Sequence, residues 1–172
     1  DYAAPVFKKN ASCRAVYQYA KEHLPQYSKV LLAMRWGSQM PENSHSLAYD
    51  ADFFKKFDLM LQKLSSEKQA VYLMLDNPNL SYNGLRAYIL SYRIPGFNQT
   101  LVIDEQNTFK GNERIKKLAE KYANVHIIDA VAYIPENFKI NGLPVYSDRD
   151  HINPYGGREL AKRFSEKHTL LQ

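Results

Sequence analysis

The sequence holds one cysteine, one tryptophan and seven glycines in 172 residues, and each scarcity excludes something. Cys13 has no second cysteine for an internal disulfide, and no cysteine–histidine spacing of a zinc site occurs. Its simplest reading is a small buried thiol on a helix, although an upstream segment could hold a disulfide partner, so the redox compartment stays open. No run approaches the ~18 consecutive apolar residues of a membrane-spanning helix. No charged segment followed by a short apolar one marks a secretory leader. Internal repeats, low-complexity tracts and a Gly-x-Ser-x-Gly nucleophile elbow are also missing. Neither sign of charge dominates: 23 basic against 18 acidic residues give +5, and the basic residues scatter without forming a stripe. Lys116-Lys117 with Lys121 reads as a solvated helix face, so nucleic acid is not expected as a partner. The mild basic excess instead suits proximity to anionic lipids or lipid-linked glycans.

What is present is a folded core. Hydrophobic residues make up 45% and aromatics 13%, enough at this length for a single domain over residues 1–172. Ser12 can cap a helix to about Leu24, with Val16, Tyr17, Ala20 and Leu24 on one face. Val30–Met34, Ala70–Leu75 and Val125–Ile128 are apolar runs of strand length, the first patterned as a central strand covered on both faces. An amphipathic helix with Phe53, Phe57, Met60, Leu61 and Leu64 lies between the first two, with Asp50 or Asp52 near its start. Residues 79–109 read as a long excursion with a short helix, forming part of a cleft wall. Asn112 can cap a helix bearing Ile115, Leu118, Ala119 and Tyr122. Asn141-Gly142 and Pro144 predict turns. The alternation of helix and strand predicts an α/β fold: a parallel sheet in a three-layer α/β/α sandwich. Sites in such sheets form beyond the carboxyl ends of the strands. That places Arg35-Trp36, Asp76-Asn77, Asp129 and the loop 148–151 at one rim.

The chemistry concentrates in that last loop. Asp148 stands three residues before His151, and a helix follows: Asn153 can cap it, Pro154 suits its first position, and Leu160, Ala161, Phe164 and His168 recur at helical spacing. A carboxylate can fix one imidazole nitrogen and leave the other free as a base. Asp150 is a rival orienter that points elsewhere if the loop is extended. The bland alternative is a polar loop before an amphipathic helix. His23, His45, His126 and His168 lack such a setting and read as structural or exposed.

Asp148-x-x-His151, followed by a small-residue turn and a Leu-Ala-x-x-Phe helix, resembles the last motif block of the SGNH (GDSL-like) esterases and acyltransferases. Val30-Leu-Leu-Ala-Met-Arg35-Trp36 is similar to a block in the SGNH domain at the C-terminal end of acyltransferase family 3 proteins. Those are bacterial membrane proteins that O-acetylate cell-surface sugars. The resemblance implies a flavodoxin-like parallel sheet. It makes Asp148 and His151 catalytic partners of an upstream serine, and Arg35, Trp36 and Asn77 oxyanion or substrate contacts. Trp36 could stack on a sugar and Arg35 orient an oxygen, or the pair could simply snorkel and pack at a strand end. The family's nucleophile sits in a Gly-Asp-Ser segment, which this sequence lacks. Ser38, in Trp-Gly-Ser-Gln, is a weak substitute. The chain opens on Asp1 and is expected to be the C-terminal portion of such a domain, lacking its first strand.

Three functions are weighed. The first is acetyl transfer to a hydroxyl of a cell-surface glycan, such as lipopolysaccharide O-antigen or peptidoglycan. It needs no metal or cofactor, lies in the periplasm or otherwise outside the cytoplasm, and takes its acyl group from a membrane acyltransferase domain of the same protein. The others are a free-standing SGNH esterase or lipase and a non-catalytic glycan-binding module.

Overall fold

The computed structural model describes residues 11–45, 49–104 and 108–167. In chain order its elements are α1 (Ala11–His23), β1 (Lys29–Ala33), α2 (Phe53–Glu67), β2 (Ala70–Met74), β3 (Asn79–Leu80), α3 (Gly84–Arg93), β4 (Ile103–Asp104), α4 (Thr108–Ala119), β5 (Val125–Ile128), β6 (Lys139–Ile140), β7 (Leu143–Pro144) and α5 (Pro154–Ser165). No helix among the described residues is long and apolar enough to cross a membrane. The chain divides into two compact units: Asp1–Asp76 with Asn107–Asp129, and Asn77–Gln106 with Ala130–Gln172.

The first unit carries the expected parallel sheet, in the order β1-β2-β5, so the fold is of the α/β class. Each strand is joined to the next through helical segments, the connection that parallel neighbours require. The register sets Leu32 beside Leu73 and Leu73 beside Ile127, and Val71 beside Val125. These side chains share one face and pack with Phe53, Phe57, Leu61 and Leu64 of α2 and Ile115 and Leu118 of α4. Each fully buried Leu or Phe is worth about 1.5–3 kcal/mol relative to exposure, which is why this face organises the unit.

Two expectations change here. The run Val30–Met34 is not a strand covered on both faces: β1 pairs only with β2 among the described residues, and Leu31 is 53% exposed. A continuous apolar run reports hydrophobicity, and does not say how many strands flank it. Asn112 is not a helix cap, because α4 already starts at Thr108. It is a buried clamp: its Oδ1 accepts from Asp76 N at 2.9 Å and its Nδ2 donates to Asp76 O at 3.0 Å. The backbone just beyond β2 thus has both polar groups satisfied where no further strand pairing reaches it. One residue earlier, a Cβ on Gly111 would sit 2.6 Å from Gly37 N, so only glycine lets α4 approach the turn Trp36–Gln39 this closely.

Ser12 lies inside the first turn of α1, and Pro25 falls in the 3₁₀ turn that ends it. The expectations for the side chains of Cys13, Val16 and Tyr17, and for His168, lie outside the described residues. His23 stacks on Tyr19 at 3.9 Å, His126 lies beside Tyr72 at 5.5 Å, and His45 is exposed.

The second unit is the excursion 77–106 packed with residues from 130 onward. β3 and β4 pair antiparallel, and so do β6 and β7. The turn between β6 and β7 is Asn141-Gly142, with φ of 49° and 78°, the left-handed pair that a tight hairpin demands. Leu80, Phe138, Ile140, Val145, Tyr146 and Leu160 form its core. α5 begins as its sequence predicts: Asn153 Oδ1 accepts from Gly156 N at 2.7 Å, and Pro154 fills the first position. Asn153 also donates from Nδ2 to Pro144 O and from its backbone to Val145 O. The helix start is thereby tied to the strand that leads into the 146–152 loop.

Candidate active site

The loop carrying Asp148 and His151 is held by its own carbonyls. Gly84 N donates to Asp148 O at 2.9 Å, Leu80 N to Arg149 O at 2.6 Å, Asn77 Nδ2 to Asp150 O at 2.7 Å, and Ser147 N to His151 O at 2.9 Å. Four consecutive carbonyls are therefore taken. Arg149 Nε returns a bond to Leu80 O, and Tyr146 and Ile152 bridge the loop's ends. Beneath it Tyr146 is fully buried and donates to Pro78 O at 2.9 Å. Burial pushes its phenol up to about 12. A loop with so many of its backbone groups committed holds its side chains in one geometry, as a catalytic pair requires.

Within it, Asp148 Oδ1 accepts from the backbone N–H of Asp150 and of His151, at 2.9 and 2.8 Å. Asp148 Oδ2 meets His151 Nδ1 at 2.9 Å. The N–H of Asp150, then that of His151, then the imidazole hold the Asp148 carboxyl well below the usual carboxylate range, with burial in partial opposition. An ionised carboxylate only accepts, so His151 Nδ1 carries the proton and, in the neutral ring, Nε2 keeps its lone pair. The imidazole is 72% exposed, which leaves that nitrogen reachable.

Asp150 departs from the sequence expectation. The Asp148 carboxylate turns the loop back on itself, so it is not extended, and Asp150 Oδ1 lies 3.1 Å from the same Nδ1. Two carboxylates therefore face one imidazole nitrogen. The three ligand atoms fall within 4.8 Å of one another, but a cation there would compete with the proton already bridging Asp148 and His151.

Asn77 belongs to this unit, and one of its amide hydrogens braces Asp150. Arg35 and Trp36 belong to the first unit. Trp36 is corrected: it is fully buried, its Nε1 donates to Met74 O at 2.8 Å and its ring packs 5.1 Å from Phe57, so no face is open for a sugar. Arg35 is exposed. Ser38 Oγ donates to Arg35 O at 2.6 Å within a 3₁₀ turn, the opposite of a hydroxyl projecting from a nucleophile elbow. Sequence reasoning gave Tyr146 no role, and it named Asp150 as a rival orienter but turned it away from His151 on an extended loop. The signal for its placement was local, since an aspartate two and three residues before backbone N–H groups favours such a turn.

The fold and this dyad define an SGNH-type α/β protein. The family described as "SGNH domain (fused to AT3 domains)" matches residues 2–166, and the chain belongs to it. Among solved structures the chain is similar to a Salmonella ser. Paratyphi A lipopolysaccharide acetyltransferase periplasmic domain, with a TM-score of 0.66 at 13% identity over 94% of this chain. It spans 66% of that domain's length. At this identity the likeness is one of fold. No curated protein matches the sequence.

Proposed function

We propose that this chain is the C-terminal part of an SGNH domain that transfers an acetyl group to a hydroxyl of a cell-surface glycan, in the periplasm or its equivalent. The observation that carries the reading is the 2.9 Å pair between Asp148 Oδ2 and His151 Nδ1 in a chain of this family. An AT3 membrane domain of the same protein would deliver the acetyl donor, as the family's fusion suggests. The nucleophilic serine would come from a Gly-Asp-Ser segment outside these 172 residues.

His151 Nε2 would take the proton of that serine as its oxygen attacks the acetyl carbonyl, and would return the proton to the leaving group. The resulting acyl-serine would then meet a sugar hydroxyl, whose proton passes to the same Nε2. The new ester forms as the serine oxygen leaves and regains that proton. Asp148, ionised throughout, steadies the imidazolium that forms in each half. Arg35 and Asn77 remain candidate oxyanion or substrate contacts, Asn77 with one amide hydrogen already committed. Water in place of the sugar would make the same site an esterase, and the geometry of the dyad serves either acceptor.

The test is glycan O-acetylation by the native protein. His151→Ala and Asp148→Asn should each lower it on the order of 10⁴-fold, with folding retained. Ser38→Ala should leave it unchanged. Loss of transfer in Ser38→Ala would make Ser38 the nucleophile, and full transfer in His151→Ala would end the dyad reading.

A further inference from the structure

The second unit contains an open cavity of about 340 Å³, at the lower end of the ~300–1,000 Å³ typical of ligand clefts. Tyr88, Asn98, Gln99, Glu136, Asn137 and Lys139 supply its polar wall. We propose that this cavity is the binding subsite for an uncharged hexopyranose unit of a glycan. The proposal rests on the acetyl-transfer reading only in taking that glycan to be the acceptor.

The lining decides the ligand class. A fatty acyl chain needs a closed apolar tunnel, whereas this cavity is open and sets Ala87, Leu101, Phe138 and Pro144 beside amides, a carboxylate and an ammonium. A phosphate or nucleotide needs convergent cations, and here Glu136 accompanies the single Lys139. Sugar hydroxyls donate and accept at once, as side-chain amides do, so Asn98, Gln99 and Asn137 match them without a net charge. The C–H face of a pyranose packs on aromatic rings. Tyr88 stands in the wall with Lys139 Nζ 5.6 Å from its centroid. Tyr92 lies 5.0 Å further along α3 with 76% of its surface exposed, an aromatic ledge for a second sugar.

The cavity also shares structure with the dyad loop. Gly84 and Tyr146 line it, Gly84 N holds Asp148 O at 2.9 Å, and Tyr146 is two residues before Asp148. A sugar seated there rests on the same backbone that positions His151.

The experiment is amide chemical-shift titration of this chain with maltotriose, chitotriose and a rhamnose trisaccharide at millimolar concentration. Shifts should centre on residues 88, 98–99 and 136–139 for at least one probe. Tyr88→Ala and Lys139→Ala should each weaken binding about ten-fold, the scale of one lost stack or charged hydrogen bond. Glu136→Gln, an exposed isosteric change, should also weaken it and covers the case where Tyr88→Ala disturbs α3. His151→Ala should bind unchanged. No shift with any probe, or shifts indifferent to all three cavity variants, overturns the subsite. Cavity binding together with full O-acetylation by native protein carrying His151→Ala would uphold the subsite and overturn the transfer reading. Lost transfer in that variant without cavity shifts would overturn the subsite alone.

Discussion

Gly156 and Gly157 are neighbours at the start of α5, and replacing each by alanine should move stability in opposite directions. A Cβ on Gly156 would lie 2.4 Å from Val145 O, 2.8 Å from Val145 Cγ1 and 3.0 Å from Val145 C. An ordinary C···O contact needs ~3.3 Å, so helix or strand must shift by about 0.9 Å. Neither yields easily. Val145 O accepts from Asn153 N and Val145 N donates to Phe138 O, both at 2.9 Å, and the Val145 side chain is fully buried. Overpacking of this kind destabilises by about 1–3 kcal/mol even after some relaxation. A Cβ on Gly157 meets nothing within 4 Å, so Gly157→Ala should gain about 0.5–1 kcal/mol, the ordinary helical advantage of alanine. The two variants should thus differ by roughly 1.5–4 kcal/mol by these rules. Urea unfolding reads this directly: with m near 1–3 kcal/mol/M, the Gly156→Ala midpoint should fall on the order of 1 M below that of Gly157→Ala. The shift also separates α5 from the strand that feeds the dyad loop, so O-acetylation by the native protein should fall with Gly156→Ala alone. Equal midpoints, or a stabilised Gly156→Ala, would refute the close approach on which the loop's placement rests.

Other expectations follow from the same geometry. Asn112→Ala removes both side-chain hydrogen bonds to the half-buried backbone of Asp76 and should cost about 1–3 kcal/mol in total, measured by denaturant titration. Trp36→Phe leaves Met74 O without its donor and should destabilise by about 1–3 kcal/mol. It should not alter the KM for a glycan acceptor, and a raised KM at unchanged stability would restore the stacking role. The Asp148 carboxyl is lowered in the folded chain, so its stabilising bonds are fully present above the unfolded value of ~3.9. They are lost only as pH falls through the depressed folded value. Carboxyl carbon shifts should show it titrating below ~3.9, and a midpoint at or above that would contradict the double backbone N–H contact.

The sequence made some of this legible and hid the rest for identifiable reasons. The strand runs at 29–33, 70–74 and 125–128 and the Asn153–Pro154 helix start carry strong local signals, because apolar runs and caps act within a few residues. The Asp148–His151 pairing was legible for the same reason, since three residues of one loop set it. Asn112 was misread because an asparagine before an apolar period resembles a cap. Its partner, the backbone of Asp76, lies 36 positions away. Trp36 was ambiguous because a strand-end tryptophan can face core or solvent, and only the packing of α2 decides it. How many strands flank β1 depends on which strands pair, which no run of residues encodes. The brace from Asn77 to Asp150 spans 73 positions and has no local trace.

The central claim is that Asp148 fixes His151 with its proton on Nδ1, leaving Nε2 as the base. Nitrogen NMR of the imidazole in this chain near neutral pH reads the tautomer. The account predicts a protonated Nδ1 and a bare Nε2, with that preference lost when Asp148→Asn is combined with Asp150→Asn, because Asp150 Oδ1 also faces Nδ1 at 3.1 Å. A ring protonated on Nε2 in the unaltered chain, or a tautomer indifferent to the double substitution, would contradict it.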